Sequence, residues 1–295
     1  MVHKKIISFF RYPGGKSKLR TKITTQLTSQ IKHNNNIQYR EPFFGGGSIG
    51  LKFLSDNPNI TKIWINDKDI GIACLWTAVI KYPNDFKEFV HSFQPSVSSF
   101  YELQNELINI NIMPKQRTKI VDIGFKKLAI HQISYSGLGT KSGGPLGGLK
   151  QKSQYKINCR WSPNYICNKI DNLQNQFKNI EFYENKCTNL DFQDVIKNTN
   201  CNSLLYLDPP YYVKGNVLYQ HSFTVEDHER LAQTLKNTNH AWILSYDDCQ
   251  EIRKMYKWAY IESLKVNYSI TALKNKETGK CLARTKSELL IYPNK

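Results

Sequence analysis

The stretch Leu204-Leu205-Tyr206-Leu207-Asp208-Pro209-Pro210-Tyr211-Tyr212 decides how the chain reads. Residues 203–207 form a nearly continuous apolar run closed by breakers, which reads as a strand buried on both faces of a parallel sheet. Pro209 and Pro210 cannot continue a ladder, so the strand stops there, at its carboxyl end. Open α/β sheets bind their ligands in the crevice at those ends. Asp208 therefore sits where chemistry is usually done, with Tyr211 held beside it by two residues of fixed φ. The plain alternative is a solvated turn, and Asp-Pro alone would read that way. Asp-Pro-Pro-Tyr straight after a Leu-rich strand favours a site.

The 295 residues suffice for one large α/β domain, or a domain with an insertion. No apolar run approaches the ~18 residues of a membrane span. The basic start, Met1-Val2-His3-Lys4-Lys5, is not followed by a signal-peptide apolar core. The 7 cysteines are scattered without a CxxC pair, which predicts reduced thiols, a cytoplasmic protein and no metal site. Lys plus Arg number 41 against 24 for Asp plus Glu, a net charge of +17. That excess points to a polyanion, nucleic acid first, although a lysine-rich composition from an AT-rich genome also contributes.

Upstream, Arg11-Tyr12-Pro13-Gly14-Gly15-Lys16 is a glycine turn before a helix expected from Ser17 to about Ile31, with Leu19, Ile23, Leu27 and Ile31 on one stripe. Lys16 at that turn is placed to meet a carboxylate or phosphate, or is an ordinary surface lysine. A short strand then runs into Glu41-Pro42-Phe43-Phe44-Gly45-Gly46-Gly47-Ser48, with Ser48 the expected cap of the next helix. Strand, glycine turn and helix let a nucleotide-like ligand lie against backbone N–H groups, although the turn is neither GxGxxG nor a GKS/T phosphate loop. A second strand ends at Asn66-Asp67-Lys68-Asp69. An acid there is well placed for both hydroxyls of a ribose. Asp67, nearest the strand end, is preferred to Asp69, and helix capping is the bland role for either.

From Asp85 to about Ser134 the pattern is helical, broken near Pro95 and Pro114. Residues 134–152 are glycine-rich and basic, and predict a mobile loop or a linker. Tyr135, Ser136, Lys141, Lys150, Lys152, Arg160 and Trp161, in and just after this stretch, interleave cations, aromatics and a hydroxyl, a mix suited to neutralising phosphates and stacking on bases. Further on, a helix is expected over 164–177 and a strand over 180–183. Asp191 caps a helix or reaches a bound base. Residues 212–219 read as a loop over the site, and a helix opens at Thr224. A buried strand covers 241–246, and an antiparallel pair closes the chain across a turn near Thr278-Gly279. Strands alternating with helices at both ends give an α/β, doubly wound sheet interrupted in the middle.

In their order, the Tyr12–Lys16 turn, the Glu41–Ser48 turn, Asn66-Asp67 and Asp208-Pro209-Pro210-Tyr211 resemble the D12 class of DNA adenine-N6 methyltransferases over nearly the whole chain. The resemblance implies a Rossmann-like methyltransferase fold with an inserted, mostly helical target-recognition domain. The divisions are then 1–84 on the cofactor side, 85–162 for DNA recognition and 163–295 on the catalytic side. It implies S-adenosyl-L-methionine as cofactor. Tyr12 and Lys16 would contact it, Lys16 through its carboxylate. Phe44, Gly45 and Gly47 would wall the methionine, Asp67 would take the ribose, Asp191 would stand near the cofactor adenine, and Asp208 would also contact the cofactor. Asp208, Pro209, Pro210 and Tyr211 would be catalytic. The first motif carries Tyr-Pro where many relatives have Trp-Ala. The implied partner is double-stranded DNA, met by a monomer, with a cognate restriction endonuclease acting separately if the protein is a modification methylase.

Other readings stay open on sequence. An RNA or protein-glutamine methyltransferase can use a related turn. A cytosine-N4 enzyme shares the amine chemistry. A non-catalytic DNA-binding module would explain the charge, but not the coexistence of two ligand-type turns with the Asp208 turn.

Overall fold

A computed structural model describes residues 9, 10, 12, 15–31, 37–213, 222–274 and 281–294. Among them are ten α-helices and one seven-stranded sheet. On the N-terminal side are α1 (Arg20–Gln30), β1 (Gln38–Glu41), α2 (Ser48–Asp56), β2 (Lys62–Ile65) and α3 (Ile70–Lys81). The middle segment holds α4 (Pro83–Ser92), α5 (Val97–Ile108) and α6 (Arg117–Ile133). The remainder is α7 (Pro163–Phe177), β3 (Glu181–Phe182), α8 (Phe192–Lys197), β4 (Ser203–Leu207), α9 (Val225–Lys236), β5 (Ala241–Asp247), α10 (Gln250–Met255), β6 (Tyr260–Lys274) and β7 (Cys281–Tyr292). The Arg11-Pro13-Gly14 part of the first turn, residues 214–219 of the expected loop and the Thr278-Gly279 turn lie outside the described residues.

The sheet order is β3-β2-β1-β4-β5-β7-β6. The first five strands pair in parallel, and β7 runs antiparallel between β5 and β6. β1 and β4 are neighbours, with Gln38 opposite Ser203 and Arg40 opposite Leu205. The chain winds outward in opposite directions from that pair, so the crevice at their carboxyl ends is the topological switch point. The turns after Glu41 and Leu207 open side by side into it. Leu204 and Tyr206 belong to one apolar cluster, Leu205 and Leu207 to the other. β4 is thus buried on both faces, which is the physical reason its sequence reads as one apolar run.

The helices α4 to α6 share the first cluster with α3: Phe86, Phe100 and Leu128 are as fully buried as Trp76. α6 crosses α3 so closely that a Cβ at Gly124 would stand 2.7 Å from Leu75 Cα. Two local expectations change. α1 begins at Arg20 rather than Ser17, because residues 16–19 form a turn closed by Leu19 N–H to the Lys16 carbonyl at 3.0 Å. Ser48 is not the cap of α2; Gly47 is, in the left-handed region at φ 68°.

The stretch 134–152, expected to be mobile, is folded onto the end of α6. Leu146 N–H donates to the Ile133 carbonyl at 2.7 Å and Tyr135 N–H to that of Gly144 at 3.0 Å. The Ser134 hydroxyl accepts from Gly139 N–H at 3.0 Å, and the His131 ring binds the Gly137 carbonyl at 2.9 Å. Its glycines close turns here rather than loosening a tether.

Candidate active site

Asp208 leaves the carboxyl end of β4 and meets Lys16, whose ammonium donates to Oδ1 at 2.5 Å and to Oδ2 at 2.7 Å. The Ser245 hydroxyl donates to Oδ1 at 3.0 Å. Oδ2, with one donor among the described residues, keeps the greater capacity to accept another N–H. Burial pushes the Asp208 carboxyl above the usual aspartate range, Glu288 adds to that, and Lys16 and Ser245 pull against it. The Lys16 ammonium also lies 4.7 Å from the centre of the Tyr211 ring, a cation–π contact. The Tyr211 hydroxyl donates to Glu288 at 3.0 Å. Asp247, opposite Glu288 in the β5–β7 register, accepts the N–H groups of Tyr212 and Val213, each at 3.0 Å. Side chains from two neighbouring strands thus cradle the turn.

The glycine turn is held from several sides. Gly45 N–H donates to Asp67 Oδ2 at 2.7 Å, and the Gly45 carbonyl accepts from Trp76 Nε1 at 2.8 Å. Gly45 has φ 48°, and a Cβ there would lie 2.6 Å from the Tyr12 ring. Only glycine meets both conditions, and Tyr12 packs against the turn at Gly45 and Gly46. Asp67 Oδ1 accepts Asp69 N–H at 2.9 Å. Burial, then the neighbouring Asp69, pushes the Asp67 carboxyl up to about 7. Asp69 itself caps α3, accepting from Ile72 N–H at 3.1 Å. Asn66 binds the carbonyls of Pro42 and Leu190, stitching the turns after β1 and β3 together.

One cavity of about 1440 Å³ joins these parts: Tyr12, Gly45, Asp67, Asp191 and Asp208 all line it. That exceeds the ~300–1,000 Å³ of a single small-molecule site, so a cofactor and a second group fit together. The sequence profile of the D12 class N6 adenine-specific DNA methyltransferases matches residues 12–270. The chain belongs to that family. It is also 23% identical to the Type II methyltransferase M.MjaIII of Methanocaldococcus jannaschii over 214 residues, which cover 69% of this chain and 68% of that protein.

Within this D12-class chain the expected site residues fall into distinct places. Phe44 and Gly47 line the cavity, with Phe44 edge-on to Trp76 at 4.9 Å. Asp191 caps α8 through Gln193 N–H and is gripped by both terminal nitrogens of Arg230 at 3.0 Å. Its carboxylate already has these partners, so it frames the cavity beside Phe192. Tyr135, Ser136 and Arg160 reach the cavity wall from the middle segment. Lys141, Lys150 and Lys152 are exposed and do not line it. Trp161 differs: it is 9% exposed and packs edge-on to Phe93 at 5.0 Å and Phe125 at 6.1 Å. A ring buried among phenylalanines supports the core and does not reach a base.

Ser245, Asp247 and Glu288 were missed in the sequence. One signal was there: polar residues at alternate positions at the end of a buried strand share one face. Glu41, the first residue of the glycine-turn motif, carries no role that the sequence alone assigns. It is 2% exposed, receives the Tyr39 hydroxyl at 2.7 Å, and burial pushes its carboxyl well up. Among the described residues no cluster of His, Cys, Asp and Glu suits a metal ion, and no helix is long and apolar enough to cross a membrane.

Proposed function

We propose that the protein transfers a methyl group from S-adenosyl-L-methionine to the N6 amine of an adenine turned out of double-stranded DNA. The observation that carries this reading is the single cavity shared by the glycine turn, Asp67 and the Asp208 turn. The residues suit the cofactor. Asp67 offers a carboxylate for a ribose diol, and the glycine turn with Tyr12 and Phe44 offers a close-fitting wall for the methionine. The cofactor, when bound, supplies an electrophilic methyl group.

The chain's task is to make a poor nucleophile attack. The lone pair of the adenine amine is delocalised into the ring. Asp208 Oδ2 accepts one of its N–H bonds and the Pro209 carbonyl the other, which favours a tetrahedral nitrogen with its lone pair free. Positioning and electrostatics then carry the rate, and no covalent enzyme intermediate is needed. Pro210 fixes the turn, and Tyr211 stacks on the extruded base, whose removal from the duplex costs a few kcal/mol. The segment 85–162 grips the duplex through Tyr135, Ser136, Arg160 and the exposed Lys141, Lys150 and Lys152. The net charge of +17 supports a phosphate-rich partner. The Type II methyltransferase among its relatives supports a modification role beside a separate endonuclease.

Tritiated-methyl transfer to duplex DNA, RNA and protein tests the substrate, and chromatography of digested DNA separates N6-methyladenine from N4-methylcytosine. Label in N6-methyladenine is expected. Label only in RNA or protein, or only in N4-methylcytosine, overturns the reading.

A further inference from the structure

Lys127 lies on α6 and is 3% exposed. Its stem crosses α3 over Gly71, where a Cβ would stand 2.8 Å from Lys127 Cδ. Its ammonium ends 2.6 Å from Asp69 Oδ2, and Asp69 is 8% exposed. Lysine is rarely buried without a strong reason, because its charge is expensive to desolvate. The catalytic turn supplies no such reason, since Lys127 makes no contact with it.

The reason lies in what Asp69 does. Its Oδ1 caps α3, its Oδ2 holds Lys127, and its backbone N–H donates to Asp67 Oδ1 at 2.9 Å. Asp67 Oδ2 in turn holds Gly45 N–H. A continuous line of bonds runs from the middle segment, through Lys127, Asp69 and Asp67, to the glycine turn. The Asp69 carboxylate also stands beside Asp67 and opposes its ionisation, and Lys127 offsets that charge. α6 is firmly seated, with Gly124 against the backbone of Cys74 and Leu75 and the His131 ring 5.4 Å from that of Tyr12. It leads directly into Tyr135 and Ser136 on the cavity wall.

We propose that Lys127 is a positioning residue for the cofactor: it holds Asp69 so that Asp67 stays aimed and charged for a ribose diol, making cofactor affinity depend on the inserted helix. This rests on Asp67 being the diol acceptor.

Calorimetric titration of the whole protein with S-adenosyl-L-methionine tests it, using Lys127→Met, Lys127→Arg, Asp69→Asn and the double variant Asp69→Asn/Lys127→Met. Lys127→Met weakens binding about tenfold, while Lys127→Arg stays within about threefold of wild type. KM for the cofactor follows the affinity, and kcat at saturation stays within about twofold, because the Asp208 turn is untouched. On the Asp69→Asn background Lys127 has no carboxylate left to hold, so adding Lys127→Met changes affinity by less than about threefold; that comparison holds even where Lys127→Met alone fails to fold. Wild-type affinity in folded Lys127→Met, or a double variant about tenfold or more weaker than Asp69→Asn, overturns this inference alone. A wild-type protein that binds no cofactor overturns the function reading and this inference with it.

Discussion

The Lys16 ammonium reaches both carboxylate oxygens of Asp208, at 2.5 and 2.7 Å, across 192 positions of sequence. Lys16 is buried, with a side chain only 2% exposed. A pair this enclosed is held by mutual need, since removing either charge strands the other. It ties the first turn of the chain to the end of β4 and sets the charge state of the group that would receive the adenine amine.

Replacing Lys16 with Met takes away the cation that opposes burial at Asp208. The carboxyl is already raised by desolvation, and losing Lys16 raises it further. A raised acid stays protonated to higher pH, and its protonated form accepts an N–H poorly. The acidic limb of the kcat profile therefore moves to higher pH, by roughly one to three units. Lys16→Arg keeps the limb near its wild-type position. An unmoved limb, with a raised KM for the cofactor instead, would assign Lys16 to the cofactor carboxylate that the family resemblance implies.

Asp208→Ala removes the acceptor itself. Methyl transfer falls by on the order of a hundredfold or more, as for loss of one preorganised hydrogen-bonding group at a reacting centre. Affinity for duplex DNA in a gel-shift assay stays within a few fold, because the residues of 134–160 proposed to grip DNA are untouched. Near-wild-type turnover in this variant would remove Asp208 from the mechanism.

Asp247→Ala removes the acceptor of two donors at once, the N–H groups of half-buried Tyr212 and exposed Val213. Each lost partner costs about 1–3 kcal/mol if the donor cannot reach water. The turn shifts, and kcat drops while cofactor affinity holds, since Asp247 touches nothing on the glycine-turn side. Ser245→Ala loses the bond to Asp208 Oδ1 and the contact with the buried Tyr206 hydroxyl, but it leaves the Tyr212 and Val213 N–H groups held by Asp247, so the turn keeps its place and the chemical step slows less. Rapid-quench measurement of the methyl-transfer step separates them; equal effects would mean that turn geometry does not limit the chemistry.

The parts of this site that could be read in the sequence are local ones. The stop of β4, the glycine turn and the span of α3 follow from apolar runs and breakers within a few residues. Ser245, Asp247 and Glu288 could not be assigned that way, because their role depends on the β4–β5–β7 register, which one strand does not carry. Lys127 sits in a helix rich in lysine and looks like a solvated charge until α6 is packed over Gly71. Residues 134–152 looked loose by composition. Their order comes from Ser134, Ser142 and His131 binding particular backbone groups, contacts that composition does not encode. Trp161 shows the same limit in reverse, since an aromatic beside basic residues reads alike whether it faces DNA or Phe93.

Asp67 gives the cofactor step its own pH dependence. Burial and Asp69 push its carboxyl up to about 7, against the pull of the Asp69 and Gly45 N–H groups and of Lys127. A ribose diol donates hydrogen bonds, so it binds the ionised form better. Below about pH 7 the protein must lose that proton to bind. Affinity therefore rises as pH increases through this range, by at most about tenfold per unit, and levels off once Asp67 is ionised in the free protein. Calorimetry near pH 6 and near pH 8, in buffers of different protonation enthalpy, reads both the affinity change and the proton released. Asp67→Asn weakens binding and abolishes the buffer dependence. A wild-type affinity that is flat over this range, with heats independent of buffer, would mean that Asp67 is either already ionised in the free site or not the group that meets the diol.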